Sequence, residues 1–153
     1  MANTYTQLYV QIVFAVKGRQ NLIPKGKKNE LHKYITGIVI NRDQKLLAIH
    51  CMPDHIHLLV GLKPTASVSD LVRDIKSGSS TFISSQGWVG RRFNWQEGYG
   101  AFSYGHSQLD RVIKYINNQE NHHKHRNFQE EYLDFLRKFN VNFDEQYLFD
   151  WIE

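Results

Sequence analysis

With 153 residues, 41% of them hydrophobic and 13% aromatic, the chain can bury one sizeable core and is too apolar for intrinsic disorder. No window reaches the run of about 18 apolar residues of a membrane span, and the opening MANTYTQLYV lacks the basic-then-apolar layout of a signal peptide. The net charge of +4 is uneven: residues 1–126 hold 17 Lys/Arg against 8 Asp/Glu, while residues 127–153 hold 2 against 7. A basic body of this kind suits a polyanionic partner, and the lone Cys51 excludes an internal disulfide or a cysteine-built zinc site and fits a reducing cytoplasm.

Tyr5 to Val16 (YTQLYVQIVFAV) is rich in β-branched and aromatic residues and reads as a strand. After the breaks at Gly18, Pro24 and Gly26, Leu31, Ile35, Ile38 and Val39 recur at helical spacing, which predicts a helix over about 27–41. Lys45 to Met52 and His55 to Leu62 are short apolar runs split by Pro53-Asp54, a hairpin pattern. Ser67, with Asp70 three residues on, predicts the N-cap of a second helix carrying Val68, Leu71, Val72, Ile75, Phe82 and Ile83. Gly78 inside that helix points to close packing.

Arg91 to Gly105 combines strand formers with glycines and predicts short strands around a turn. Ser107 with Asp110 repeats the capping pattern before a third helix whose apolar stripe is Leu109, Val112, Ile113 and Ile116. A further helix over 129–139 and the aromatic tail Tyr147, Phe149 and Trp151 close the chain. The order β-α-β-β-α-β is the ferredoxin-like split βαβ, an α+β fold with an antiparallel sheet and additional C-terminal helices, here expected as one domain over 1–153. One sheet face then meets two helices, and the other is left for a ligand, a partner or an extra helix.

On the second strand of the hairpin, His55 and His57 share a face while Ile56, Leu58 and Val60 point to the other. Two parallel imidazoles can share a metal ion, and equally can be a hydrogen-bonded surface pair. Tyr115 lies off the apolar stripe of the third helix, with Gln119 four residues later on the same side. A phenol is a poor nucleophile at neutral pH unless a metal or charge offsets the phenolate. An ion held by His55, His57 and Gln119 could act as Lewis acid on a phosphate oxygen, and imidazole plus amide oxygen suits Mg²⁺ or Mn²⁺.

MPDHIHLLV (Met52 to Val60), FxWQxGYGAFS (Phe93 to Ser103), YIxxQ (Tyr115 to Gln119) and LYVQIVFAVKGR (Leu8 to Arg19) occur in order. Together they resemble the HUH single-tyrosine transposases of the smallest bacterial insertion sequences, from about Tyr5 to the end of the chain. The resemblance implies that His55 and His57 are the HUH pair, Gln119 the third ligand of a divalent ion, and Tyr115 the nucleophile. It further implies attack on single-stranded DNA, a 5′-phosphotyrosine and a free 3′-OH, homodimers that share active sites between subunits, and recognition of subterminal hairpins. The setting would be the bacterial cytoplasm, at the nucleoid when DNA is bound, with no membrane partner.

Gln11 departs from the histidine often expected in the opening strand, and His122, His123 and His125 extend the tyrosine helix toward a basic end. Lys17, Arg19, Lys63, Arg73, Lys76, Arg91 and Arg92 are candidate phosphate contacts, Trp95 a candidate stacking platform and His122 a candidate phosphate neighbour. Two alternatives stand beside strand transfer: a nicking enzyme of relaxase or replication-initiator type, and a non-catalytic ferredoxin-like nucleic-acid-binding module.

Overall fold

The computed structural model describes residues 3–144; the aromatic tail at Tyr147, Phe149 and Trp151 lies outside the described residues. Its elements are β1 (Tyr9–Ala15), α1 (Lys28–Asn41), β2 (Lys45–Met52), β3 (His55–Gly61), α2 (Val68–Ser85), β4 (Gly100–Tyr104), α3 (Leu109–Asn117), α4 (Gln119–His122) and α5 (Phe128–Lys138). The sheet runs β2-β3-β1-β4 with every neighbour antiparallel, the strand order of the split βαβ. β1 is shorter than its apolar run because both of its partners stop at Tyr9, which faces Gly61 on one side and Tyr104 on the other.

Alternation along β1 and β3 sorts their side chains between two layers. Ile12, Phe14, Ile56, Leu58 and Val60 pack with Leu31, Ile35 and Val39 of α1 and Leu71, Val72 and Ile75 of α2. Ser67 caps α2 by accepting the Asp70 backbone N–H at 3.3 Å. At Gly78 an added Cβ would meet Ile38 Cδ1 at 2.8 Å, so the missing side chain is what lets α2 approach α1.

The second sheet face is covered by helices too. Ala48 and Leu59 pack under Leu109, Val112 and Ile116 of α3. Val13, Ala15 and Phe102 pack under Phe128, Tyr132, Phe135 and Leu136 of α5. Each of these buried α5 side chains contributes about 1.5–3 kcal/mol of transfer free energy, enough to hold the helix on the sheet. Asn127 starts α5 by accepting the Glu130 N–H at 2.9 Å.

The expected cap at Ser107 does not form. Residues 106–108 make a 3₁₀ turn in which the Gln108 side chain accepts the Gly105 N–H at 3.0 Å, and α3 begins at Leu109 without a side-chain cap. The tyrosine helix also breaks at Asn118, so Gln119 opens a separate short turn rather than continuing α3.

Candidate functional site

The polar residues of β3 and β1 emerge between the α3 and α5 layers. His55, His57 and Gln11 sit on the sheet face opposite α1 and α2, at 1%, 0% and 0% exposure. Pro53-Asp54 turns the chain so that the Asp54 carboxylate meets His55 Nδ1 at 2.7 Å. A carboxylate on Nδ1 holds the proton there and leaves Nε2 as a lone-pair donor, the orientation a metal-ligating histidine needs. Gln11 holds His57 by the opposite bond: its Nε2 lies 2.9 Å from His57 Nδ1 and donates to it, which puts the ring proton on Nε2 toward Glu131, while its Oε1 accepts the Tyr104 hydroxyl at 2.9 Å. Ligation of an ion through Nε2 needs that proton moved and the Gln11 amide turned to offer its oxygen.

Two further residues complete the cluster. Glu131 of α5 is fully buried, with Oε1 at 2.9 Å from His57 Nε2, 3.2 Å from His123 Nε2 and 3.6 Å from His55 Nε2. Gln119 Oε1 lies 3.3 Å from His55 Nε2 and 3.0 Å from His123 Nε2. One ligand atom from each of His55, His57, His123 and Glu131 falls within 4.8 Å of every other. A cation with bonds of roughly 2.0–2.1 Å spaces its donors by roughly 3.3 Å, so these residues fit around one ion, with Gln119 adjacent. Burial lowers the pKa of His57 against the opposing pull of Glu131, which favours the neutral imidazole that a metal requires.

Tyr115 reaches the same carboxylate from α3. Its hydroxyl donates to Glu131 Oε2, and the Arg126 guanidinium donates to the hydroxyl oxygen at 3.1 Å. The ring stacks on His122 at 4.4 Å and stands 6.0 Å from the His57 ring. Burial raises the pKa of the phenol above its ordinary value; the Glu131 charge and hydrogen bond add to this, and Arg126 opposes it. Phe128 stacks on His55 at 4.2 Å, and Phe135 lies 6.1 Å from His57, so α5 roofs the histidine pair.

The structure therefore brings together His55, His57, Gln119 and Tyr115, all four from one chain. It adds His123 and Glu131, which residue-by-residue reading did not assign to the site. Glu131 did carry a signal, because Phe128, Glu131, Tyr132, Phe135 and Leu136 form one buried helical stripe with a single carboxylate inside it. Gln11, a departure in sequence terms, proves to be the buried partner of His57.

Several candidate DNA contacts have partners within the chain. Trp95 is only 8% exposed, packs edge-on to Phe14 and Phe93, and donates to Ser79, so neither face is free to stack on a base. The Lys76 ammonium is spent on the Gln96 and Gly98 carbonyls at 2.8 and 2.6 Å. Arg73 pairs with Asp70 and Asp74, and Lys63 with Asp43. His122 lies flat on the Tyr115 ring. Lys17, Arg91 and Arg92 are exposed, and the Arg19 side chain lies outside the described residues.

The chain belongs to the IS200-like transposase family, whose model matches residues 4–119. Membership gives it a transposase function, that of a DNA-processing enzyme of a mobile element. It is similar to the ISDra2 transposase TnpA of Deinococcus radiodurans, 23% identical over 120 residues, covering 74% of this chain and 84% of that protein. It also matches the transposase for insertion sequence element IS200 of Salmonella typhimurium, 28% identical over 86 residues, covering 56% of this chain and 57% of the relative. Among solved structures, a REP-associated tyrosine transposase bound to a REP hairpin shares the fold at a TM-score of 0.61 and 15% identity, over 79% of this chain and 72% of that one. A Deinococcus radiodurans R1 protein assigned as a transposase shares it at 0.61 and 23%, over 76% and 94%. His123, Arg126 and Glu131 all lie beyond the residues matched by the family model.

Proposed function

We propose that this transposase cleaves and rejoins single-stranded DNA at insertion-sequence ends through a 5′-phosphotyrosine on Tyr115. The observation that carries the reading is the bridge made by Glu131, with one oxygen on the Tyr115 hydroxyl and the other 2.9 Å from His57 Nε2. Tyr115 and His57 thus lie within one carboxylate of each other, which supports roles as nucleophile and metal ligand at one site. In the proposed reaction the Tyr115 oxygen bonds to phosphorus, the P–O3′ bond breaks, and the phenol proton is balanced by the proton taken up at the departing 3′ oxygen. The phosphodiester energy is kept in the phosphotyrosine, so the reverse step can join a new 3′-OH without water or a nucleotide cofactor.

A divalent ion at His55, His57 and the neighbouring donors would supply Lewis-acid charge to a phosphate oxygen. Three imidazoles and a carboxylate suit Mn²⁺ better than Mg²⁺, which prefers all-oxygen shells. Arg126 favours the phenolate, and Glu131 opposes it while it remains in contact. Hairpin-bearing ends and a homodimer are the partners that the family likeness supports, with each chain able to offer both the tyrosine and the histidines.

The test is covalent capture. Incubation with Mn²⁺ and single-stranded oligonucleotides drawn from the flanks of the gene should give an SDS-resistant adduct that is lost in Tyr115→Phe. An adduct undiminished in Tyr115→Phe would refute the assignment, and cleavage that never leads to joining would favour a nicking enzyme.

A further inference from the structure

A cleft of about 710 Å³ opens between α3 and α5, and Tyr115 and Glu131 lie among the residues that line it. We propose that this cleft is the binding site for a nucleotide next to the scissile phosphate, an inference that rests on the strand-transfer reading above. Three features select a nucleotide. Arg111 from α3 and Lys138 from α5 line the cleft, both exposed, and neither has an ion-pair partner among the described residues. The cleft's other basic residue, Arg126, is already paired with Asp134 and bonded to Tyr115. Unpaired cations beside a nucleophile are suited to phosphate oxygens.

Phe139 and Tyr104, both half-buried and edge-on to one another at 5.5 Å, supply an aromatic wall backed by the buried Phe135. A base can lie against such a wall without sequence-specific hydrogen bonds. The volume falls in the range of small-ligand sites, so one or two nucleotides fit. The cations also stand out against their setting, since residues 127–153 are acidic overall and yet direct Lys138 into this cleft. Arg111 and Lys138 were not among the phosphate contacts expected from the sequence.

The experiment measures binding of a 5′-phosphorylated, 3′-fluorescein-labelled oligothymidylate pentamer to the full chain by anisotropy, as a function of salt. Arg111→Glu with Lys138→Glu should weaken binding roughly tenfold or more and flatten the salt dependence by one to two phosphate contacts. Phe139→Ala should weaken binding while leaving the salt slope unchanged. Lys63→Glu and Arg73→Glu, which alter surface cations elsewhere, should do neither. Wild-type affinity and slope in the Arg111/Lys138 double variant would overturn the proposal, as would equal losses in the Lys63 and Arg73 variants. Both cleft cations are exposed, so melting curves of the double variant should match wild type, and Phe139→Ala is read only if its helix content is retained. If the double variant binds normally and the Tyr115 adduct still forms, the cleft assignment fails while strand transfer stands. If the cleft variants lose binding and no adduct ever forms, strand transfer fails while the cleft stands.

Discussion

Replacing Glu131 by glutamine keeps the shape of the side chain and removes its charge, which isolates its part in the cluster. In the native arrangement a single oxygen lies 2.9, 3.2 and 3.6 Å from three imidazole nitrogens, making it one of four donors that can surround an ion. Loss of an anionic donor should cost more than loss of an outer hydrogen-bond partner, which is itself worth about 10–100-fold in metal affinity. The expected fall for Glu131→Gln is therefore at least about 100-fold, or ~2.7 kcal/mol. Titration calorimetry with Mn²⁺ measures it directly, and Co²⁺ absorption reports whether the coordination geometry has changed. The same substitution removes the carboxylate charge that helps burial hold the Tyr115 pKa up, so the phenol should ionise at lower pH in ultraviolet titration. Glu131→Gln with wild-type Mn²⁺ affinity, in a protein where His57→Ala abolishes binding, would show that Glu131 is no ligand and would refute the four-donor reading.

Gln11→Leu strands the His57 Nδ1 and the Tyr104 hydroxyl inside the protein, at about 1–3 kcal/mol for each unsatisfied group, and should lower Mn²⁺ affinity about 10–100-fold; unchanged affinity would mean that Gln11 does not orient His57. His32 accepts the Cys51 N–H at 2.9 Å, and burial, followed by His50 and Lys28, lowers its pKa from 6.5 to about 4. A depressed folded-state pKa contributes stability that is present above the unfolded value of 6.5 and is lost as pH falls through about 4. Because the ring is partly solvated, the contribution is about 1–2 kcal/mol rather than the full value of the shift. Urea unfolding at neutral and acidic pH should show this loss in the native chain and a flatter profile in His32→Gln; parallel profiles would refute it.

Much of the frame was legible because short-range rules act alone there. Alternation in β3 separates His55 and His57 from Ile56, Leu58 and Val60, and Pro53-Asp54 marks the turn before them. The Ser67 cap, the close approach at Gly78 and the α5 helix were each readable from local patterns, with boundaries within a residue or two. The reading of Ser107 as a cap failed because a glutamine side chain took over the turn. Composition cannot say which aromatic ring enters the core, as Trp95 does, nor which ammonium finds backbone carbonyls, as that of Lys76 does.

On the α5 wheel Glu131 lies at the edge of the arc made by Phe128, Tyr132, Phe135 and Leu136, a position that periodicity leaves free to face in or out, and the structure buries it fully. A buried carboxylate needs partners to offset the cost of leaving water, and spacing along the helix does not supply them. The partners are His57, 74 residues earlier on β3, and Tyr115 on α3. Periodicity thus determined which face of α5 is apolar, and only the packing of α3 and α5 on one sheet face decided that the charge lies inside and what it meets there.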